Sequence, residues 1–227
     1  THKGGRGGVK CKDENEINAR AQSSLMIVMI NVACHAGTCN ISYSNRTDYC
    51  PESSIAYCSL STTQDRCRLT LLHEAGGHGF GKLADESILK DKYVTKTDVE
   101  GINNCKYRGW YANISTNGIM TDVPWADMIF DPRYSNYVDI FEGGYGYTRG
   151  VWRSEANSCM NYAIPYYNAI SRLDITRRVF RLAGESFDME RDFYSVDTDE
   201  WGSVAVNARS THNVQELQPI HSHNAPI

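Results

Sequence analysis

Three kinds of hydrophobic pattern run along this chain, and each predicts a different element. Residues 25–33 (LMIVMINVA) form an almost unbroken β-rich apolar run, the pattern of a central strand covered on both faces. The polar stretch before it, 13–24, is rich in helix formers with Asp13 as its cap. A helix leading into a buried strand suggests a βαβ unit whose first strand lies upstream. Shorter strands are predicted at 41–45 and 55–60, separated by a Cys50-Pro51 turn. Over 65–80 the pattern becomes helical: Leu69, Leu71, Leu72 and Ala75 make one stripe, and two histidines share another face. Gly76 and Gly77 inside that helix cost about 1 kcal/mol each relative to Ala. Close approach of another backbone is the expected compensation, and Gly81 is expected to end the helix at positive φ.

Beyond the helix, 83–98 reads as a charged stretch that starts helical. Residues 101–150 are rich in Gly, Asn, Asp and Tyr with little periodicity, which predicts long loops and short strands walling a cleft. A second helix is predicted at 167–182, with Ile170, Leu173, Val179 and Leu182 inward and Arg172, Arg177, Arg178 and Arg181 on a solvated face. The implied organisation is a flexible tail at 1–12, a catalytic domain at 13–190 (upper part about 13–86, lower part about 87–190) and an extension or linker at 191–227.

Composition narrows the function. A chain of 227 residues with 41% hydrophobic content supports one domain with a core, and its longest apolar run is far too short to span a membrane. A net charge of -4 gives no footprint for a nucleic-acid partner. The 8 cysteines lack paired C-x-x-C spacing, so disulfides in an oxidising compartment are expected rather than a structural zinc site. Asn40, Asn45 and Asn113 begin N-x-S/T sequons. The chain begins with Thr and carries no signal peptide, and is read as a processed piece of a longer exported protein, secreted or held at the cell surface or in the periplasm.

The candidate chemistry concentrates in His73-Glu74-Ala75-Gly76-Gly77-His78. Read as the H-E-x-x-H zinc signature, it sets two imidazoles a helical turn apart on one face, with Glu74 beside the water they would activate. Catalytic zinc takes three protein ligands and leaves its fourth position open. In the extended signature H-E-x-x-H-x-x-G-x-x-H, a glycine bends the chain toward a third ligand. Gly81 occupies the glycine position, but Ala84 stands where the ligand would be and cannot coordinate. Asp85 follows it and is the preferred third ligand, with Glu86 or a remote His or Glu as alternatives. Downstream, Ser158-Cys159-Met160-Asn161-Tyr162 matches the metzincin Met-turn S-x-M-x-Y. There Met160 would form an apolar floor, and Tyr162 could reach the metal or the developing oxyanion. His212, His221 and His223 lie in a polar tail and are read as solvated.

HEAGGHGFGKLADE together with NSCMNYAIPYYNAISR resembles the immunoglobulin A peptidase family of metzincin-type zinc metallopeptidases. The resemblance covers roughly residues 25–182. It implies an α+β, metzincin-like zincin: a mixed twisted sheet with the active-site helix above a cleft, and an irregular, helical lower subdomain. Ser87 departs from the pattern, since an aromatic often follows the Ala-Asp-Glu. The activity implied is a zinc-dependent endopeptidase cleaving an extracellular protein, such as a host glycoprotein. On this reading Zn2+ would be held by His73, His78 and Asp85, Glu74 would be the base, and Tyr162 would assist as in the wider metzincin pattern. An extended substrate would pair with an edge strand at 55–60. The rival readings are a non-catalytic protein- or glycan-binding module on a peptidase scaffold, and a zinc amidase with a non-protein substrate.

Overall fold

The computed structural model describes residues 23–32, 36–44, 52–60 and 63–197. The tail expected at 1–12, residues 13–22 of the helical stretch expected at 13–24 (whose Ser23 and Ser24 instead begin a strand), the Cys50-Pro51 turn and residues 198–227, with the three tail histidines, lie outside the described residues. Helices and mixed sheets together make the fold α+β.

The first sheet contains β1 (Ser23–Ile30), β2 (Gly37–Tyr43) and β3 (Glu52–Ser59) in the order β1-β3-β2. β3 runs parallel to β1 and antiparallel to β2. Along β3, Ser54, Ala56 and Cys58 are buried while Ser53, Ile55 and Tyr57 are half-buried, the alternation of a strand with one face on the core. The buried residues are small, which lets a helix approach closely. That helix begins as α1 (Gln64–Leu71), capped by the Thr63 hydroxyl, and continues without a break into a π-helical segment, Leu72–Phe80.

Two expectations about this sheet are corrected. Among the described residues the apolar run at 25–33 is an outer strand rather than a central covered one: Leu25, Met26, Ile27, Met29 and Ile30 are 36–46% exposed. Apolar runs of this length carry no information about which neighbours cover them. Nor can 55–60 be an edge, because β3 is hydrogen-bonded on both sides. β2 pairs only with β3 among the described residues, and it lies against the π segment.

The second sheet is built on β7 (Gly146–Arg153), with β4 (Ile88–Tyr93) parallel to it and β5 (Ile114–Ser115) and β6 (Phe141–Gly144) antiparallel. The stretch expected to start helical at 83 therefore holds a strand at Ile88–Tyr93 and no helix before Lys96, since ladder pairing with β7 overrides the helical composition. Helix α2 starts only at Lys96 and runs to Tyr107, where Thr95 Oγ1 accepts the Asp98 amide at 3.1 Å. A short α3 (Ala126–Phe130), the long α4 (Ala169–Ala183) and a five-residue π-helical turn, Glu190–Tyr194, follow. α4 opens on Asn168, whose Oδ1 accepts from Ser171 N at 3.0 Å, and closes on Gly184 at φ 75.

The core crosses the expected division near residue 86. Cys39, Ile41, Ala56, Cys58 and Ala75 pack with Ile102, Trp110, Ile114 and Val151, whereas Trp125, Met128, Tyr134, Tyr166, Ile170 and Phe193 form a separate lower core. The α4 arginines are not uniformly solvated. Arg172 makes a bidentate pair with Asp197 (2.7 and 2.8 Å), and buried Arg178 pairs with Glu52 while donating to Ser23 Oγ at 2.9 Å. Val179, expected inward, is exposed. The five described cysteines, Cys39, Cys58, Cys67, Cys105 and Cys159, are free thiols, where disulfides were expected. In the β2–β3 pair Cys39 faces Ala56 and Cys58 faces Gly37, a diagonal placement of about 7–8 Å, too long for a bridge. No described helix is long and apolar enough to cross a membrane.

Glu52 ties the two parts together. Its carboxylate accepts from Arg178 and from Trp110 Nε1 at 3.1 Å; burial raises its pKa, but those bonds and the neighbouring arginines leave it below the usual range. Glu52→Ala strands Arg178 and should cost about 3–5 kcal/mol in denaturant unfolding, whereas the double variant Glu52→Leu/Arg178→Met should recover most of that loss.

Candidate metal centre

His78 follows His73 by five positions, not four. The segment is therefore H-E-x-x-x-H, one residue longer than the signature it resembles. At about 100° per residue an α-helix would point the two imidazoles some 140° apart. The chain removes that mismatch by winding 72–80 as a π-helix, whose i→i+5 hydrogen bonds stack residues five apart. One such bond runs from Gly81 N to Gly76 O at 2.8 Å. The rings then meet edge to face, with centroids 4.7 Å apart and planes at 87°.

Each glycine of this segment answers to a contact that admits no side chain. A Cβ on Gly76 would overlap the Tyr167 hydroxyl, which donates to Leu72 O at 2.5 Å, and a Cβ on Gly77 would overlap Met160 Sδ. The compensating neighbours are thus side chains, not the backbone that was expected. Gly81 has φ -67, so the positive φ falls instead on Lys82 at 55. Gly81 is required because a Cβ there would stand 2.9 Å from Gly77 O and 3.0 Å from Ile175 Cγ1. Buried Lys82 reaches back to donate to Gly79 O at 2.8 Å and to Ser54 Oγ, placing a cation at the carbonyl end of the π segment.

His73 Nδ1 lies 2.6 Å from Cys159 O and His78 Nδ1 lies 2.8 Å from Leu83 O. A carbonyl only accepts, so both Nδ1 atoms carry the proton and both Nε2 lone pairs face the site. The two Nε2 atoms are 3.1 Å apart. Two imidazoles on one tetrahedral ion, with bonds of 2.0–2.1 Å, would sit about 3.3 Å apart. Burial and the nearby His73 hold His78 well below its ordinary pKa, keeping it in the neutral, ligating form. Asp85 joins them: its Oδ1 accepts from Ser87 N at 2.7 Å, its Oδ2 is 3.9 Å from His73 Nε2, and the three donor atoms lie within 4.8 Å of one another. The residues fit a divalent ion.

Glu86 is directed elsewhere. Its carboxylate accepts from Ser158 Oγ at 2.6 Å and from the side-chain amides of Asn113 and Asn168, each at 2.8 Å. Burial raises its pKa, opposed in part by those donors. Met160 does lie beneath the histidine segment, fully buried with Leu83 and Cys159. Tyr162 packs on the lower core.

Glu74 is completely buried, and among the described residues neither carboxylate oxygen has a hydrogen-bond partner. Burial, then the charge of Asp85, pushes its pKa up to about 9. Gly37, at the head of β2, makes room for it: a Cβ there would be 2.5 Å from Glu74 Cγ. Sequence reasoning passed over Gly37 and Lys82, for which no motif exists. Asn113, which begins an N-x-S sequon, is buried, and its Nδ2 donates to Ala84 O at 2.9 Å as well as to Glu86. No protein-family model matches this chain, and no curated protein sequence matches it.

Two outcomes follow from this geometry. Gly76→Ala should destabilise the protein by about 1–3 kcal/mol, and Tyr167→Phe, which removes the overlapping hydroxyl, should offset part of that loss; strict additivity in thermal unfolding would contradict the packing account. In the metal-free protein, folded Glu74 keeps a proton that the unfolded chain releases above its ordinary pKa of 4.5. Stability should therefore fall as pH rises from 4.5 toward 9, and Glu74→Gln should flatten that decline and raise stability at pH 7 by on the order of 2 kcal/mol.

Proposed function

We propose that this chain is the catalytic part of a zinc peptidase akin to the immunoglobulin A peptidase family, acting on an extracellular protein substrate. The observation that carries the reading is the pair of inward Nε2 atoms 3.1 Å apart beside an unpartnered buried carboxylate. His73, His78 and Asp85 would hold the ion. Two imidazoles and one carboxylate are a donor set that suits zinc. When bound, zinc supplies Lewis-acid polarisation of the scissile carbonyl and an acidified water.

The remaining work belongs to the chain's own groups. Glu74, adjacent to His73 and shielded from solvent, accepts the proton of the attacking water and passes it to the leaving amine nitrogen. The positive charge of a bound ion would hold the Glu74 carboxyl ionised, the form that proton acceptance needs. Nδ1 bonds to Cys159 O and Leu83 O keep the imidazoles from turning. The outer side of β2 offers main-chain groups to an extended peptide, and Gly37 lets that strand come up against Glu74. An extended strand of this kind selects for unfolded or loop segments of a substrate.

The zinc-loaded protein should cleave a denatured, reduced protein substrate, lose that activity with chelator and regain it with added zinc. Glu74→Gln should bind zinc as wild type does and lower kcat at least about 10³-fold. Cleavage of cell-wall amides but not peptides would favour an amidase; zinc binding without any hydrolysis would favour a binding module.

A further inference from the structure

We infer that Glu86 is a positioning residue that aims His73 and Asp85 together, an inference that rests on the metal-site reading above. Glu86 is completely buried and adjacent to Asp85, yet its side chain turns away from the histidines. Its Oε2 accepts from Ser158 Oγ at 2.6 Å and its Oε1 from Asn113 Nδ2 at 2.8 Å. Asn168 Nδ2 spans both oxygens at 2.8 and 3.1 Å. All of these are donors, and together they leave a carboxylate fully satisfied where an amide would turn its own N–H toward one of theirs.

Each donor belongs to an element that touches the site. Ser158 Oγ accepts from Met160 N at 3.1 Å and so shapes the turn whose Cys159 carbonyl orients His73. Glu86 N donates to Met160 O at 2.8 Å, a second tie to the same turn. Asn113 grips Ala84 from both sides, accepting from its N at 2.8 Å and donating to its O at 2.9 Å. Asp85 is thus suspended between two anchored residues. Asn168 caps α4, the helix that follows Tyr167, whose hydroxyl fills the space above Gly76. One carboxylate therefore joins the turn carrying the third donor, the turn orienting the first, and the helix packed on the π segment.

Cobalt(II) is the probe, because its visible ligand-field spectrum reports donor geometry without requiring turnover. Glu86→Gln should weaken cobalt binding about 10–100-fold and shift its absorption bands. Ser158→Ala, a milder change that keeps the carboxylate, should do the same to a smaller degree if Glu86→Gln does not fold. Met128→Ala, which loosens the lower core away from the site, should lower Tm while leaving cobalt affinity and bands as in wild type. A folded Glu86→Gln or Ser158→Ala variant with wild-type bands and affinity would overturn the inference. So would a Met128→Ala protein showing the same spectral change, since any loss of stability would then suffice. Failure of the wild-type chain to bind cobalt would instead sink the metal-site reading itself.

Discussion

The site depends on two hydrogen bonds from imidazole to backbone carbonyl. Cys159 O and Leu83 O each take an Nδ1 proton, and that choice turns both Nε2 lone pairs toward one point. Without those acceptors the rings could swap tautomers or rotate, and two buried histidines would simply hydrogen-bond each other. The acceptors come from different places: one lies five residues beyond His78 on the same strand of chain, the other 86 residues beyond His73 in the lower part of the molecule. The donor geometry therefore exists only once the two parts have packed.

The π segment is the local answer to the same demand. Five-residue spacing is wrong for an α-helix and right for i→i+5 winding. π-helical backbone is uncommon because its hydrogen bonds and internal packing are poorer than those of the α-helix, so it needs outside support. Here Tyr167 and Met160 close over Gly76 and Gly77, Lys82 ties down the Gly79 carbonyl, and the small inward residues of β3 allow the whole segment to sit close to the sheet. The same glycines that weaken an α-helix make this arrangement sterically open.

Charge is handled differently on the two sides of the histidines. Glu52 and Glu86 are buried carboxylates with every oxygen partnered, one by Arg178 and Trp110, the other by Ser158, Asn113 and Asn168. Glu74 is buried without any partner among the described residues. Native interiors seldom leave such a group unsatisfied, because the desolvation cost goes uncompensated. Its isolation, in a chain segment that also places His73, His78 and Asp85 together, sets it apart from the two partnered carboxylates.

How much of this was legible in the sequence differs by residue. His73, His78 and Asp85 could be picked out by residue type and order, although the histidine spacing was read one position short, and the structure brings their donor atoms within 4.8 Å of one another. The second helix was legible from its periodicity, and Asn168 and Gly184 bound it as caps do. What could not be read was decided by packing between distant segments. Composition alone did not distinguish an outer β1 from a central one, because pairing partners leave no trace in an apolar run. Local order favoured Asp85 over Glu86 as the third candidate ligand, but only Asn113, Ser158 and Asn168, brought in from 27 to 82 residues away, show why the Glu86 carboxylate is engaged elsewhere. The chain by itself determined which residues could bind a metal, and the tertiary structure decided which of them face one another, since a lone pair's direction is set by what holds the other side of the ring.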